Sequence, residues 1–377
     1  MHDRIRILGL ANVIVMVVAF AVLVAQLPAR RGEAVSAPPR PAPGKAVPGG
    51  TPVPAPRPAP PDPASVKANE LGMMPILMYH RILAKRQAEL DRTPEQLRRE
   101  LVRLAREGYV PVTAAEFAAG RMDIPAGRHP VALTFDDGHP SHFRFGPDGQ
   151  PAPGTAARVI LDVAREYPGF RPVATFWVNR EPFGLTDPAE QARAVQWLTR
   201  HGFEVANHTW SHPALNTLPR KKVVEQIDRT QRMIEDLGGG KPTTLALPYG
   251  IMPKRREWAR RDFAGVFLAG ASPSVSPFHR DYSPLGIQRI QSNGKKGDCR
   301  LYCSQAWLDW LRAHPEKRYT SDGNPEKISF PRGLLRYLDR ERKNLANPYD
   351  MPGRSPTMGQ SPGAPSTSPG VSGSPSD

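Results

Sequence analysis

The sequence predicts an α/β fold built on a parallel sheet or barrel. Three observations carry that prediction. Short apolar runs alternate with helical patterns along the chain, the signature of repeated βα units. The mixed apolar and polar texture from Leu71 to Asn347 covers roughly 275 residues, enough for one such core and for a single folded domain. Carboxylates and histidines stand directly after several of the apolar runs, where a parallel sheet presents its strand ends.

The strand candidates, in order, are Pro75–Tyr79, Val131–Phe135, Val173–Val178, Phe203–Ala206, Thr244–Leu247, Ala264–Leu268 and Ile287–Gln291. Helices fill the gaps. Thr93–Arg106 opens with Thr93 as cap, Pro94 at the first position and Gln96 completing a capping box. Thr155–Glu166, Pro188–Arg200 and Pro219–Leu237 follow, and in the last of these Val223, Ile227, Ile234 and Leu237 recur at helical spacing as core contacts.

Both ends read differently. Ile7–Leu27 carries no charge and is long enough to cross a bilayer as a helix, so residues 1–30 are expected to be a membrane anchor or a signal segment. Residues 31–70 form a Pro-rich linker expected to extend as polyproline II, 71–346 the folded domain, and 347–377 a disordered Ser/Pro/Gly tail. Lys and Arg number 51 against 36 Asp and Glu, a surplus suited to an anionic surface or polymer; no nucleic-acid module accompanies it, so nucleic acid is not an expected partner. The oligomeric state is not legible. The two cysteines, Cys299 and Cys303, suit either a local extracytoplasmic disulfide or two free thiols on one helix.

Three motifs carry chemistry. The run VALTF leads into Asp136-Asp137-Gly138, and adjacent carboxylates repel unless a cation or a shared proton relieves them; one acid then binds a metal and the other is free to act as base. His208 and His212, four residues apart after the run FEVA, can face one cation. Pro248-Tyr249-Gly250 ends another strand, at a corner able to aim a backbone N–H at a developing oxyanion.

TFDDG, HTWSHP and LPYG, in that order, resemble the motifs of the NodB-homology polysaccharide deacetylases, carbohydrate esterase family four, over roughly Met74 to Gln291. The resemblance implies a distorted parallel (β/α) barrel, with seven strands expected, and a metal-dependent deacetylase. Asp136 would be the general base, Asp137, His208 and His212 would hold one divalent metal ion, with Zn2+ expected, and the Tyr249 N–H would bind the oxyanion. Pro248 and Trp210 would contact substrate. Two departures stand out: no arginine precedes Pro248 in TTLAL to orient the base, and no late Leu-x-His-Asp strand supplies the acid. His279 lies in a Pro-rich loop. The early strand PILMYH resembles the missing strand moved to the front, as in deacetylases of poly-N-acetylglucosamine, which makes His80 the expected general acid. The expected reaction is removal of N-acetyl groups from an extracytoplasmic acetylated polysaccharide, with the domain tethered to the cell membrane. The rivals are an O-acetyl esterase and an inactive, membrane-tethered wall-binding protein. His139 and His142, in the insertion after Gly138, are expected in a solvated loop, and Trp177 in barrel packing.

Overall fold

The computed structural model describes residues 59–351 apart from 261, 296 and 298. The membrane segment predicted at Ile7–Leu27, the linker up to residue 58 and the tail beyond residue 351 lie outside the described residues. Among those described, no helix is long and apolar enough to cross a membrane.

The chain runs β1 (Ile76–Tyr79), α1 (Pro94–Arg106), β2 (Tyr109–Val112), α2 (Ala114–Ala118), β3 (His129–Phe135), α3 (Ala156–Glu166), β4 (Thr175–Val178), α4 (Pro188–Arg200), β5 (Glu204–Asn207), α5 (Arg220–Asp236), β6 (Thr244–Ala246), α6 (Glu257–Arg260), β7 (Gly265–Phe267), β8 (Ile290–Gln291), α7 (Ser304–Ala313), β9 (Ile328–Pro331) and β10 (Ala346–Tyr349). Strands pair in the order β7-β6-β5-β4-β3-β1-β8, all parallel. The segment entering β8 touches both sheet edges: Ile287 bridges Phe267 of β7, and Ile290 then pairs with Leu77 of β1. The sheet therefore curls back on itself as a seven-stranded barrel, and each predicted strand contributes. All four predicted helices are present, α1 with both halves of its Thr93–Gln96 capping box.

Side chains alternate across the wall, as the two-residue period of a strand requires. Ile76, Ala132, Trp177, Ala206, Ala246 and Phe267 share one apolar cluster inside. Leu77, Tyr79, Leu133, Phe135, Phe176 and Val205 belong to a second, packed with residues of the helices.

Several elements escape sequence reading. β2 joins the start of β3 only, and its Pro111, which lacks an N–H, suits a strand with a free side. α2 is only five residues long, too short to show helical periodicity, and is fixed by a capping box of Thr113 and Glu116. α7 and the two-stranded β9–β10 sheet add a C-terminal cover. Packing also reaches beyond residues 71–346: Ala68, Asn69 and Glu70 are buried, and β10 ends at Tyr349. Cys299 and Cys303 form a disulfide in the loop between β8 and α7.

Candidate active site

The carboxyl ends of the strands converge on one group of ionisable residues. Asp136 and Asp137 directly follow β3, and His208 directly follows β5, with His212 four residues on. One ligand atom from each of Asp137, His208 and His212 lies within 4.8 Å of the others. Both imidazole Nε2 atoms stand 3.4 Å from Asp137 Oδ1. The other ring nitrogen of His208, Nδ1, is 2.9 Å from the Ala246 carbonyl, which fixes its orientation and leaves Nε2 facing Asp137. Two imidazoles and one carboxylate, with one imidazole already oriented, fit the donor set of an open metal site.

Holding these groups together requires unusual backbone. Among the described residues six non-glycine residues have positive φ, and four of them are Asp137 (75°), Thr209 (66°), His212 (56°) and Tyr249 (58°). Each such residue costs on the order of 1 to 3 kcal/mol unless its surroundings enforce it, and such positions gather at functional sites. Gly138 continues the turn at φ 59°, where a Cβ would lie 3.1 Å from Val178.

Asp136 is buried and held by a residue that the motifs do not contain. Arg289 donates from Nη1 to Oδ1 at 2.6 Å and from Nη2 to Oδ2 at 2.7 Å. Burial alone would raise the Asp136 carboxyl, but Arg289, with His208 and His80 nearby, holds it well below the usual carboxylate range. Arg289 is itself wholly buried, donates from Nε to the Leu268 carbonyl at 2.7 Å and lies over the Trp177 ring at 4.9 Å. The arginine missing before Pro248 is thus replaced from the barrel strand that closes the sheet. The signal emerges only once the barrel is built. Ile287 belongs to the interior cluster, so the two-residue period places Arg289 inward as well, a charge where the fold puts apolar groups.

His80 follows β1 and feels the charges of Asp136, Asp137, Arg289 and His208. Burial lowers its pKa against the two carboxylates, which raise it. Its Nδ1 is buried without a hydrogen-bond partner among the described residues. His142, expected in a solvated loop, is instead fully buried, with Nε2 2.7 Å from the His80 carbonyl, so it braces the backbone of that residue. His139 remains half-buried beside Ser141.

The turn Pro248–Gly250 leaves the Tyr249 ring 64% exposed, edge-on to His212 with centroids 4.6 Å apart. Of the two expected substrate contacts, Pro248 is buried at the start of the turn. One face of Trp210 is taken by Arg229 of α5, whose guanidinium lies 4.0 Å above it. Trp177 packs inside the barrel against Phe267. His279 stacks on Tyr337 and forms a bridge with Leu338, away from the strand ends.

A parallel barrel whose mouth gathers a three-ligand cradle beside an arginine-clamped buried carboxylate defines a class of hydrolytic site. Comparison with known sequences makes that class specific. The family model described as polysaccharide deacetylase matches residues 123–264. A chitooligosaccharide deacetylase of Bradyrhizobium sp. is 32% identical over 189 residues, 49% of this chain and 72% of that protein. The chitooligosaccharide deacetylase of Rhizobium leguminosarum bv. phaseoli is 36% identical over 179 residues, 45% of this chain and 64% of that protein. The Bacillus subtilis peptidoglycan-N-acetylmuramic acid deacetylase PdaC is 38% identical over 135 residues, 36% of this chain but only 24% of that protein. The chain belongs to the polysaccharide deacetylase family, carbohydrate esterase family four, whose members are hydrolases acting on amide bonds.

Proposed function

We propose that this protein removes N-acetyl groups from N-acetylglucosamine units of an extracytoplasmic polysaccharide, in a reaction that depends on one divalent metal ion. The observation that carries the reading is the buried, Arg289-clamped Asp136 set beside the Asp137, His208 and His212 cradle. Relatives named as chitooligosaccharide and peptidoglycan deacetylases support the substrate class.

Asp137, His208 and His212 would hold the ion, zinc by expectation, whose chemistry is to polarise the acetamide carbonyl and acidify water. Asp136 takes the proton from the attacking water, and Arg289 keeps that carboxylate ionised and aimed. The Tyr249 N–H, presented by its left-handed turn, donates to the oxyanion, a contact of a kind worth about 3 to 4 kcal/mol. His80 protonates the departing amine; burial lowers its pKa, and the carboxylates of Asp136 and Asp137 work against that lowering. Early His80 supports a general acid placed as in the poly-N-acetylglucosamine subtype, and an extracytoplasmic substrate supports a domain outside the membrane, anchored by Ile7–Leu27.

The test is acetate release from chitooligosaccharides compared with acetylated xylan. Release from the former, lost on chelation and restored by zinc, is the expected result. Release from xylan alone makes the protein an O-acetyl esterase, and release from neither, with metal bound, makes it a binding protein.

A further inference from the structure

Behind the catalytic cleft, on the outer side of β1 and β8, lies a cleft of about 560 Å³ lined by Arg86, Arg92, Arg99, Arg103 and Lys295, together with Asn293 and Gln305. Not all of this charge is spent. Arg103 pairs with Glu107 and Asp309, and Lys295 pairs with Asp309. Glu100, the one acid among the described residues of the wall, turns its carboxylate to Tyr79, Ser292 and Ser304. Arg92 and Arg99 make no ion pair among the described residues.

Arg92 is the unusual member. It is only 8% exposed, its Nη1 donates to Asn293 Oδ1 at 3.2 Å, and its buried Nε has no hydrogen-bond partner among the described residues. A desolvated guanidinium without a counter-charge is strongly unfavourable, and the Nε edge of an arginine is half of the fork that grips carboxylate or phosphate. The Nε of Arg86 is likewise buried and unpartnered. Helix α7 begins at the same cleft: Gln305 lies in its first turn, and its N-cap, Cys303, makes no side-chain cap, so the positive end of a ten-residue helix adds to the field.

The cleft is also tied to the catalytic strand. The Arg92 N–H donates to the Arg81 carbonyl at 3.0 Å, and the Leu83 N–H to the Arg92 carbonyl at 2.8 Å. Arg81 follows His80 directly and clamps Asp91, the neighbour of Arg92, at 2.8 and 2.9 Å.

We infer that the cleft formed by Arg86, Arg92, Arg99 and the start of α7 is a binding site for an oxyanion of the phosphate or carboxylate class, beside but separate from the metal cradle. Its occupant supplies the direct ion pair that Arg92 lacks among the described residues. Resting on the deacetylase reading, the favoured source is an acidic group on the glycan, held while a neighbouring sugar enters the cleft; a free oxyanion is the other source.

Direct binding tests the site without relying on turnover. Titration of the metal-loaded protein with inorganic phosphate, followed by calorimetry, should show one site weakened at least tenfold by Arg92→Gln. Arg99→Gln, at an exposed position where folding is not at stake, should weaken it several-fold. The site should persist in the double variant His208→Ala/His212→Ala. Absence of binding, or binding indifferent to both arginines, overturns the inference; so does binding that disappears with the two histidines, which would place the anion on the metal. Arg99→Gln should lower kcat/KM several-fold on a muramic-acid-containing glycan but not on a neutral chitooligosaccharide if the anion belongs to substrate. It should leave both unchanged if the anion is free. Failure of both substrates to release acetate would discard the deacetylase reading while leaving the phosphate titration to decide the site.

Discussion

The two ends of the barrel hold similar polar groups and treat them in opposite ways. At the floor, Glu204 accepts from the Ala115 N–H at 2.9 Å and from the Thr175 and Thr244 hydroxyls at 2.7 and 2.5 Å. His129 Nδ1 lies 2.9 Å from the Tyr319 carbonyl, and Glu70 accepts from Ser321, Tyr319 and the Ser329 N–H. Helix α2 and the strip around Tyr319 close this end. At the mouth, Asp137, His208 and His212 face one another, the Nδ1 of His80 has no partner, and strained backbone holds the group in place. Partners that saturate a polar group fix the fold; groups left with free valence at the strand ends are what a metal and a substrate require.

Substitutions at the two ends should therefore fail differently. Asp136→Asn should lower acetate release by about 10²- to 10⁴-fold while metal content stays at the wild-type value, measured by elemental analysis beside turnover. His80→Ala should keep the metal and lose most amide hydrolysis, yet lose less on an activated aryl acetate, whose leaving group departs without a proton; equal losses on both substrates would remove His80 as the acid.

Arg289→Gln joins the two behaviours. Removing one member of a buried pair costs about 3 to 5 kcal/mol. Because Arg289 holds the Asp136 carboxyl low, the variant should also shift the acid limb of the pH–rate profile to higher pH. A purely structural arginine would lower stability and leave that limb in place.

Glu204→Ala should cost about 1 to 3 kcal/mol for each donor left without an acceptor, seen as a lower denaturation midpoint, while kcat of the folded fraction stays unchanged. His129 gives an effect confined to acid pH. Burial lowers its pKa from 6.5 to about 4, so the unfolded chain takes up the proton first as pH falls. The stability tied to its neutral form is complete above about pH 6.5 and is lost toward pH 4, about 3 kcal/mol in all. His129→Gln should flatten the acid side of a melting-temperature profile. Glu70 acts in the opposite sense: burial raises its pKa to about 8, so it withdraws stability as pH rises from about 4.5 to about 8.

Most of the barrel was legible because its strands are apolar runs ending in turn residues, and because α1 announces itself through Thr93, Pro94 and Gln96. β2 was not, since Pro111 argues against a strand unless the missing N–H faces away from the ladder. α2 and the floor contacts of Glu70 and Glu204 were illegible because they depend on residues far apart in sequence, such as Ser329 and Thr244. In the site, Asp136, Asp137, His208 and His212 stand in recognisable local motifs. Arg289 stands alone in QRIQ and gains meaning only when the barrel closes and sets β8 beside β1. The burial of His142 follows instead from the pairing of β1 with β3, which brings its ring against the backbone of His80.

The central claim is that the mouth keeps its valences for one metal ion. Calorimetric titration of metal-free protein with zinc, run beside His208→Ala/His212→Ala, tests it most directly. The account predicts one ion per chain for the native protein and none at that site for the double variant, with both equally folded. No binding by the native protein, or the same stoichiometry in the double variant, would contradict it.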